Sequence, residues 1–135
     1  MFEALSEALG PHSIRVGAIP LDRNHAIEMA GDLLVSSGRV TPEYVNQMVE
    51  AVETNGPYIV IAPGIALAHG RPSPEVIETG LSILVLAWPV VFGNDANDPV
   101  KIVIGLSAFD HESHLDLMKD LAEALSSEEF VNMLL

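Results

Sequence analysis

YIVIAPGIALAHGRP, Tyr58 to Pro72, decides how the rest of this 135-residue chain is read. Two short apolar runs, Tyr58–Ile61 and Ile65–Ala68, flank a Pro-Gly break and are followed by Gly70, Arg71 and Pro72. β-branched runs bounded by Gly and Pro predict strands. The second run delivers a lone histidine, His69, to a strand end. A side chain there is held by a rigid sheet yet faces a loop, where reacting groups concentrate. Neutral imidazole offers one ring nitrogen for attack while the other keeps a proton that a hydrogen bond can orient. His69 is therefore a candidate nucleophile; the plainer alternative is a histidine satisfied at the end of a strand.

Downstream, Leu81–Val91 and Val100–Phe109 are near-continuous apolar runs, predicting strands covered on both faces with helices packed on the sheet. Between them Phe92–Pro99 is a long polar turn, and Asn97-Asp98-Pro99 has the chemistry of side chains folding back on the backbone. We expect it to shape the site from beneath. Leu115, Leu117, Met118, Leu121, Ala122 and Leu125 mark a helix, and Ser126–Glu129 caps a last one ending at Leu135.

Upstream, Phe2, Leu5 and Leu9 predict a short amphipathic helix over Met1–Leu9, stopped by Gly10-Pro11. Ser13–Ala18 reads as a strand. Asp22 caps a helix with Ile27, Ala30, Leu33 and Leu34 on its apolar face, ending near Ser36-Ser37-Gly38. Thr41-Pro42 opens another, with Tyr44, Val45, Met48, Val49 and Val52 at helical spacing until Asn55-Gly56-Pro57. The order predicts one α/β domain over residues 1–135, a sheet flanked by helices.

Composition narrows the function classes. With 49% hydrophobic and 19% charged residues the chain is expected to fold around a core. A net charge of −13 makes contact with nucleic acid or an anionic membrane repulsive and steers basic protein partners toward it. With no cysteine there is no disulfide, thiolate metal site or cysteine nucleophile. No apolar run approaches the roughly 20 residues of a membrane span, and the N-terminus lacks a secretory signal, so a soluble cytoplasmic protein is expected.

Four segments, GRVTPEYVNQM (Gly38–Met48), Tyr58–Pro72, PVVFGNDANDPVKIVIGLSAFD (Pro89–Asp110) and HLDLMKDLAEAL (His114–Leu125), together resemble a family. They are similar, in order and spacing, to the mannitol/fructose-type IIA components of the bacterial phosphoenolpyruvate-dependent sugar phosphotransferase system, and within it to the ascorbate-type branch. The resemblance implies a mixed β-sheet flanked by helices, a phosphorylatable histidine at His69 and a second active-site histidine at His114. It implies a phosphoryl donor, the histidine phosphocarrier protein HPr, and an acceptor cysteine on a IIB component. The membrane transporter IIC is then an indirect partner. A regulatory IIA-like module that signals through its phosphorylation state is the alternative. Two positions depart from the family pattern: Ala68 stands where proline is common, and Gly70 where alanine is frequent.

A metaphosphate-like group in transit needs donors and cations around three oxygens. His114 is expected to open a helix, whose N-terminus is a ready anion site. Arg71, two residues past the nucleophile, can fork onto phosphate or pair with one of the many carboxylates. His111 and His114 form H-x-x-H without a third ligand at a persuasive spacing, so neither metal nor cofactor is expected. His12 and His25 read as surface residues. The sugar is not legible, and a homodimer is compatible with the sequence.

Overall fold

The computed structural model describes residues 7–128 and 132, apart from the side chains of Pro11 and His111. In chain order these form β1 (Leu9–Ala18), α1 (Arg23–Ser36), α2 (Pro42–Asn55), β2 (Val60–Ala62), β3 (Ile65–His69), β4 (Gly80–Val90), β5 (Val100–Ser107) and α3 (His111–Leu125). The sheet order is β1-β4-β5-β3-β2. It is mixed: β1 runs parallel to β4 and β3 parallel to β5, while β4 pairs antiparallel with β5 and β2 with β3.

β4 from Gly80 to Leu86 and β5 from Ile102 to Ser107 are buried on both faces, as their near-continuous apolar runs predict, whereas the last residues of β4 open to solvent at Trp88. On one side Ala26, Ile27, Ala30 and Leu34 of α1 and Tyr44, Met48 and Val52 of α2 pack on Ala66, Ala68, Leu84, Leu86 and Val103. On the other, Leu117, Leu121 and Ala124 of α3 cover Ile65, Leu67, Leu81, Ile83, Ile102, Ile104 and Leu106. Small residues set how closely the first layer sits. A Cβ on Gly105 would stand 2.4 Å from Ser82 Oγ and 3.2 Å from the Ala30 carbonyl, to which that hydroxyl donates at 2.8 Å. Any side chain at 105 therefore pushes α1 off the sheet, an overpacking that costs about 1–3 kcal/mol.

Asp22 caps α1 as expected, its carboxylate accepting from the His25 N–H at 2.9 Å. His25 returns the favour through Nδ1, which accepts from the Leu21 N–H at 2.9 Å, so this histidine fastens the helix start. Thr41 is the N-cap of α2 and Pro42 its first residue, but the Thr41 hydroxyl donates to the Glu75 carboxylate and makes no capping bond.

The N-terminal part differs from the expectation. The helix expected over Met1–Leu9 lies outside the described residues up to residue 6; Glu7 and Ala8 are helical as expected, but Leu9 is already strand, paired with Leu81. Gly10-Pro11 interrupts the pairing without ending the element, because the register slips between Leu9 and Ile14 and His12 takes φ 66° inside the irregularity. Proline is tolerated there because β1 is an edge strand. The final helix expected from Ser126 to Leu135 falls mostly on residues outside those described. No helix among the described residues is long and apolar enough to cross a membrane.

Candidate functional site

Strand alternation aims His69. In β3, Ala66 and Ala68 face α1 and α2, whereas Ile65 and Leu67 face α3, which puts His69 on the α3 side. His69 is register partner to Leu106 of parallel β5, and β5 leads through Ala108, Phe109 and Asp110 directly into α3. His69 and the first turns of α3, with His114, therefore belong to one end and one face of the sheet. This is the carboxyl end of β3 and β5, where loops of a partly parallel sheet leave room for ligands.

The imidazole is half-buried and held from within its own strand. Nδ1 lies 3.0 Å from the Leu67 carbonyl oxygen. A carbonyl only accepts, so the bond assigns the proton to Nδ1 and leaves the lone pair on Nε2. The Tyr58 ring stands against the imidazole at 5.9 Å between centroids and 86° between planes, an edge-to-face contact.

Periodicity in α2 marks Tyr44 only as an apolar core position, and the structure gives it more to do. The ring is 1% exposed. Its hydroxyl accepts from the Gly70 N–H at 2.9 Å and donates to the Leu106 carbonyl at 2.9 Å. Burial pushes the phenol up to about 12, the Gly70 N–H opposing that shift. A tyrosine in a helix's buried stripe must find a partner for its O–H, and that was the available signal; the identity of the partner was not.

His114 does not open its helix. α3 starts three residues earlier, at His111, and Asp110 is the N-cap, its carboxylate accepting from the Ser113 N–H at 2.7 Å. The His114 N–H already bonds to the Asp110 carbonyl at 3.1 Å. The helix end is thus occupied by a carboxylate, which takes up the favourable dipole interaction. What His114 has to offer an anion is its side chain. Phe109 and Leu115 flank it as large exposed apolar side chains.

Arg71 is exposed and makes no hydrogen bond or ion pair among the described residues. It lines a groove of about 430 Å³ with Gln47, Glu50 and Thr54 of α2 and with Ser73, whose hydroxyl donates to Gln47 at 3.1 Å. Of its two expected roles, the fixed pairing with a carboxylate is not formed. No group of three or more histidine or acidic side chains among the described residues is arranged to hold a metal.

The Phe92–Pro99 turn does not lie beneath the site. It joins β4 to the start of β5, the opposite end of the sheet from His69. There Asn97 and Asn94 donate to the Val60 carbonyl at 3.1 and 3.5 Å, and the Gly64 N–H donates to the Asn97 carbonyl at 2.9 Å. The turn buttresses the entry to β2 and β3, and acts on His69 only through the length of β3.

Residues 7–135 match the family model described as phosphoenolpyruvate-dependent sugar phosphotransferase system, EIIA 2. The ascorbate-specific PTS system EIIA component of Escherichia coli K12 is 42% identical over 105 residues, covering 78% of this chain and 68% of the relative. The equivalent component of Salmonella typhimurium is 41% identical over 106 residues, with 78% and 69% covered. Among solved structures, the mannitol-specific cryptic phosphotransferase enzyme IIA of Escherichia coli superposes with a TM-score of 0.87 at 35% identity, covering 98% of this chain and 89% of that one. The IIA mannitol enzyme of Escherichia coli, solved in complex with phosphorylated IIB, gives 0.80 at 29% identity, with 93% and 86% covered. Sequence match and fold agree: this chain belongs to the EIIA type 2 family and is a IIA component of the phosphoenolpyruvate-dependent sugar phosphotransferase system.

Proposed function

We propose that His69 is the phosphoryl-accepting residue, that HPr is its donor and a IIB cysteine its acceptor, and that the chain serves uptake of ascorbate or a related sugar through a IIC transporter in the cytoplasm. The observation that carries this reading is the 3.0 Å contact between Nδ1 of His69 and the Leu67 carbonyl. In the forward step the Nε2 lone pair attacks phosphorus, the Nε2–P bond forms and the nitrogen–phosphorus bond of the carrier breaks. The proton stays on Nδ1, where the carbonyl stabilises the positive ring that results. In the onward step a thiolate attacks phosphorus and His69 leaves as neutral imidazole. The ring is a good leaving group because its second nitrogen kept the proton.

His114 is the candidate for holding a phosphate oxygen, from the first turns of the helix that follows the paired strand. Arg71, exposed and without an ion pair among the described residues, is a cation in reach of an incoming phosphoprotein. The exposed Phe109 and Leu115 supply an apolar docking rim, and the charge of −13 favours a basic donor. The ascorbate name of the relatives supports transport over the regulatory alternative.

Incubation with phosphoenolpyruvate, enzyme I and HPr should place one phosphate on the wild type, at His69 Nε2, and none on His69→Ala. Full labelling of His69→Ala overturns the reading.

A further inference from the structure

We propose that Tyr44 is the positioning residue of this site: its buried hydroxyl ties the peptide that follows His69 to Leu106 and so holds the imidazole in register with the approach to α3. The proposal rests on the reading of His69 as the phosphoryl acceptor.

His69 is fixed at two points. Its ring is held by the carbonyl of Leu67, two residues before it, and its outgoing peptide by Tyr44, through the Gly70 N–H. The same hydroxyl has one proton to give, and the Leu106 carbonyl at 2.9 Å is nearer than that of Gly70 at 3.3 Å. Leu106 is the register partner of His69 and the last residue but one of β5, which runs on into the helix carrying His114. One oxygen thus spans the end of the strand that bears His69 and the end of the strand that leads into the helix bearing His114. Residue 70, with no side chain, leaves the ring room at this distance: a Cβ there would stand 3.2 Å from Tyr44 Cε1 and 3.3 Å from Cζ. Transfer between proteins needs the nucleophile within a few tenths of an ångström of its line of attack, so loosening this peptide slows the chemical step.

The test compares Tyr44→Phe, which keeps the ring and removes the oxygen, with Val52→Ala, which weakens the same helix away from the site. Phosphorylation by phosphoenolpyruvate, enzyme I and HPr is followed at varied HPr concentration, and ¹⁵N NMR reads the tautomer of His69. Tyr44→Phe is expected to lower kcat roughly tenfold or more with KM for HPr within about twofold, and to move His69 from the Nδ1–H form toward a mixture. Val52→Ala is expected to lose stability and keep the wild-type kcat and tautomer. Wild-type kcat and tautomer in Tyr44→Phe, or equal losses in Val52→Ala, overturn the proposal. If the wild type itself takes no phosphate at His69, the transfer reading fails, and the tautomer measurement then decides alone whether Tyr44 positions the ring.

Discussion

The two ends of the sheet solve opposite problems. At the end with the Phe92–Pro99 turn, polar groups face inward: the Asp98 carboxylate accepts from the Phe92, Gly93 and Asn94 N–H groups at 3.0, 2.7 and 2.9 Å, and both asparagines reach across to Val60. At the His69 end, the Leu67 carbonyl and the Tyr44 hydroxyl hold the backbone and one ring nitrogen, while Nε2 and the Arg71 guanidinium have no partner among the described residues. The difference is that between a turn that satisfies its own polar groups and a strand end that leaves a ring nitrogen and a guanidinium open, as the proposed transfer requires. The far end fixes where β3 begins, through the Gly64 N–H that donates to the Asn97 carbonyl.

The largest effects should separate these roles. His69→Ala should abolish phosphoryl labelling and shift unfolding stability by less than about 1 kcal/mol, since a half-buried ring with one bond contributes little. Asp98→Ala should do the reverse. Removing one carboxylate strands three N–H donors, and with water replacing part of what is lost the cost is about 3 kcal/mol in urea unfolding. Labelling under folding conditions should survive. If Asp98→Ala folds yet takes no phosphate, the two ends are coupled and the comparison breaks.

A pH titration probes the near end more gently. The phenol of Tyr44 is pushed up from 10.0 to about 12 because burial disfavours its anion. The folded state therefore holds this proton more tightly than the unfolded chain. The stabilisation is complete below about pH 10 and is lost as pH rises through about 12. The expected loss is on the order of 2 kcal/mol across that window, seen as a steeper alkaline fall in the wild type than in Tyr44→Phe. Parallel curves for the two proteins would mean that the phenolate is solvated and the hydroxyl less enclosed than its bonds imply.

Much of this was legible in the residues, and the failures share a cause. The Leu81–Val91 and Val100–Phe109 runs announce buried strands because two-sided burial leaves no polar alternation to confuse the pattern. Tyr58–Pro72 announces a histidine at a strand end for the same reason. Gly10-Pro11 looks like a stop, yet β1 resumes in the same ladder after its slip, since pairing with β4 is a tertiary fact that no local signal reports. The start of α3 is hidden because Asp110 and Ser113 are both competent caps, and only the backbone decides between them. The turn at Asp98 is legible by its chemistry but its end of the sheet is not, because strand direction is absent from a one-dimensional pattern. Tyr44 was hidden in plain helical periodicity: its ring belongs to the core and its oxygen to the site.

The smallest effect tests that last point from the other side of the bond. Gly70→Ala leaves the Tyr44 hydroxyl in place but adds a methyl group 3.2 Å from the ring at Cε1 and 3.5 Å from Gln47 Cβ. The ring must retreat by a few tenths of an ångström, and Gln47, which also holds Ser73, limits how far it goes. Lengthening the Gly70 bond by that much weakens it without leaving either partner stranded, so the penalty is about 0.5 kcal/mol, or roughly a twofold slower phosphorylation. A loss as large as that of Tyr44→Phe would show the opposite: that the oxygen works only at its present distance, and that the missing side chain at Gly70 is itself part of how His69 is held.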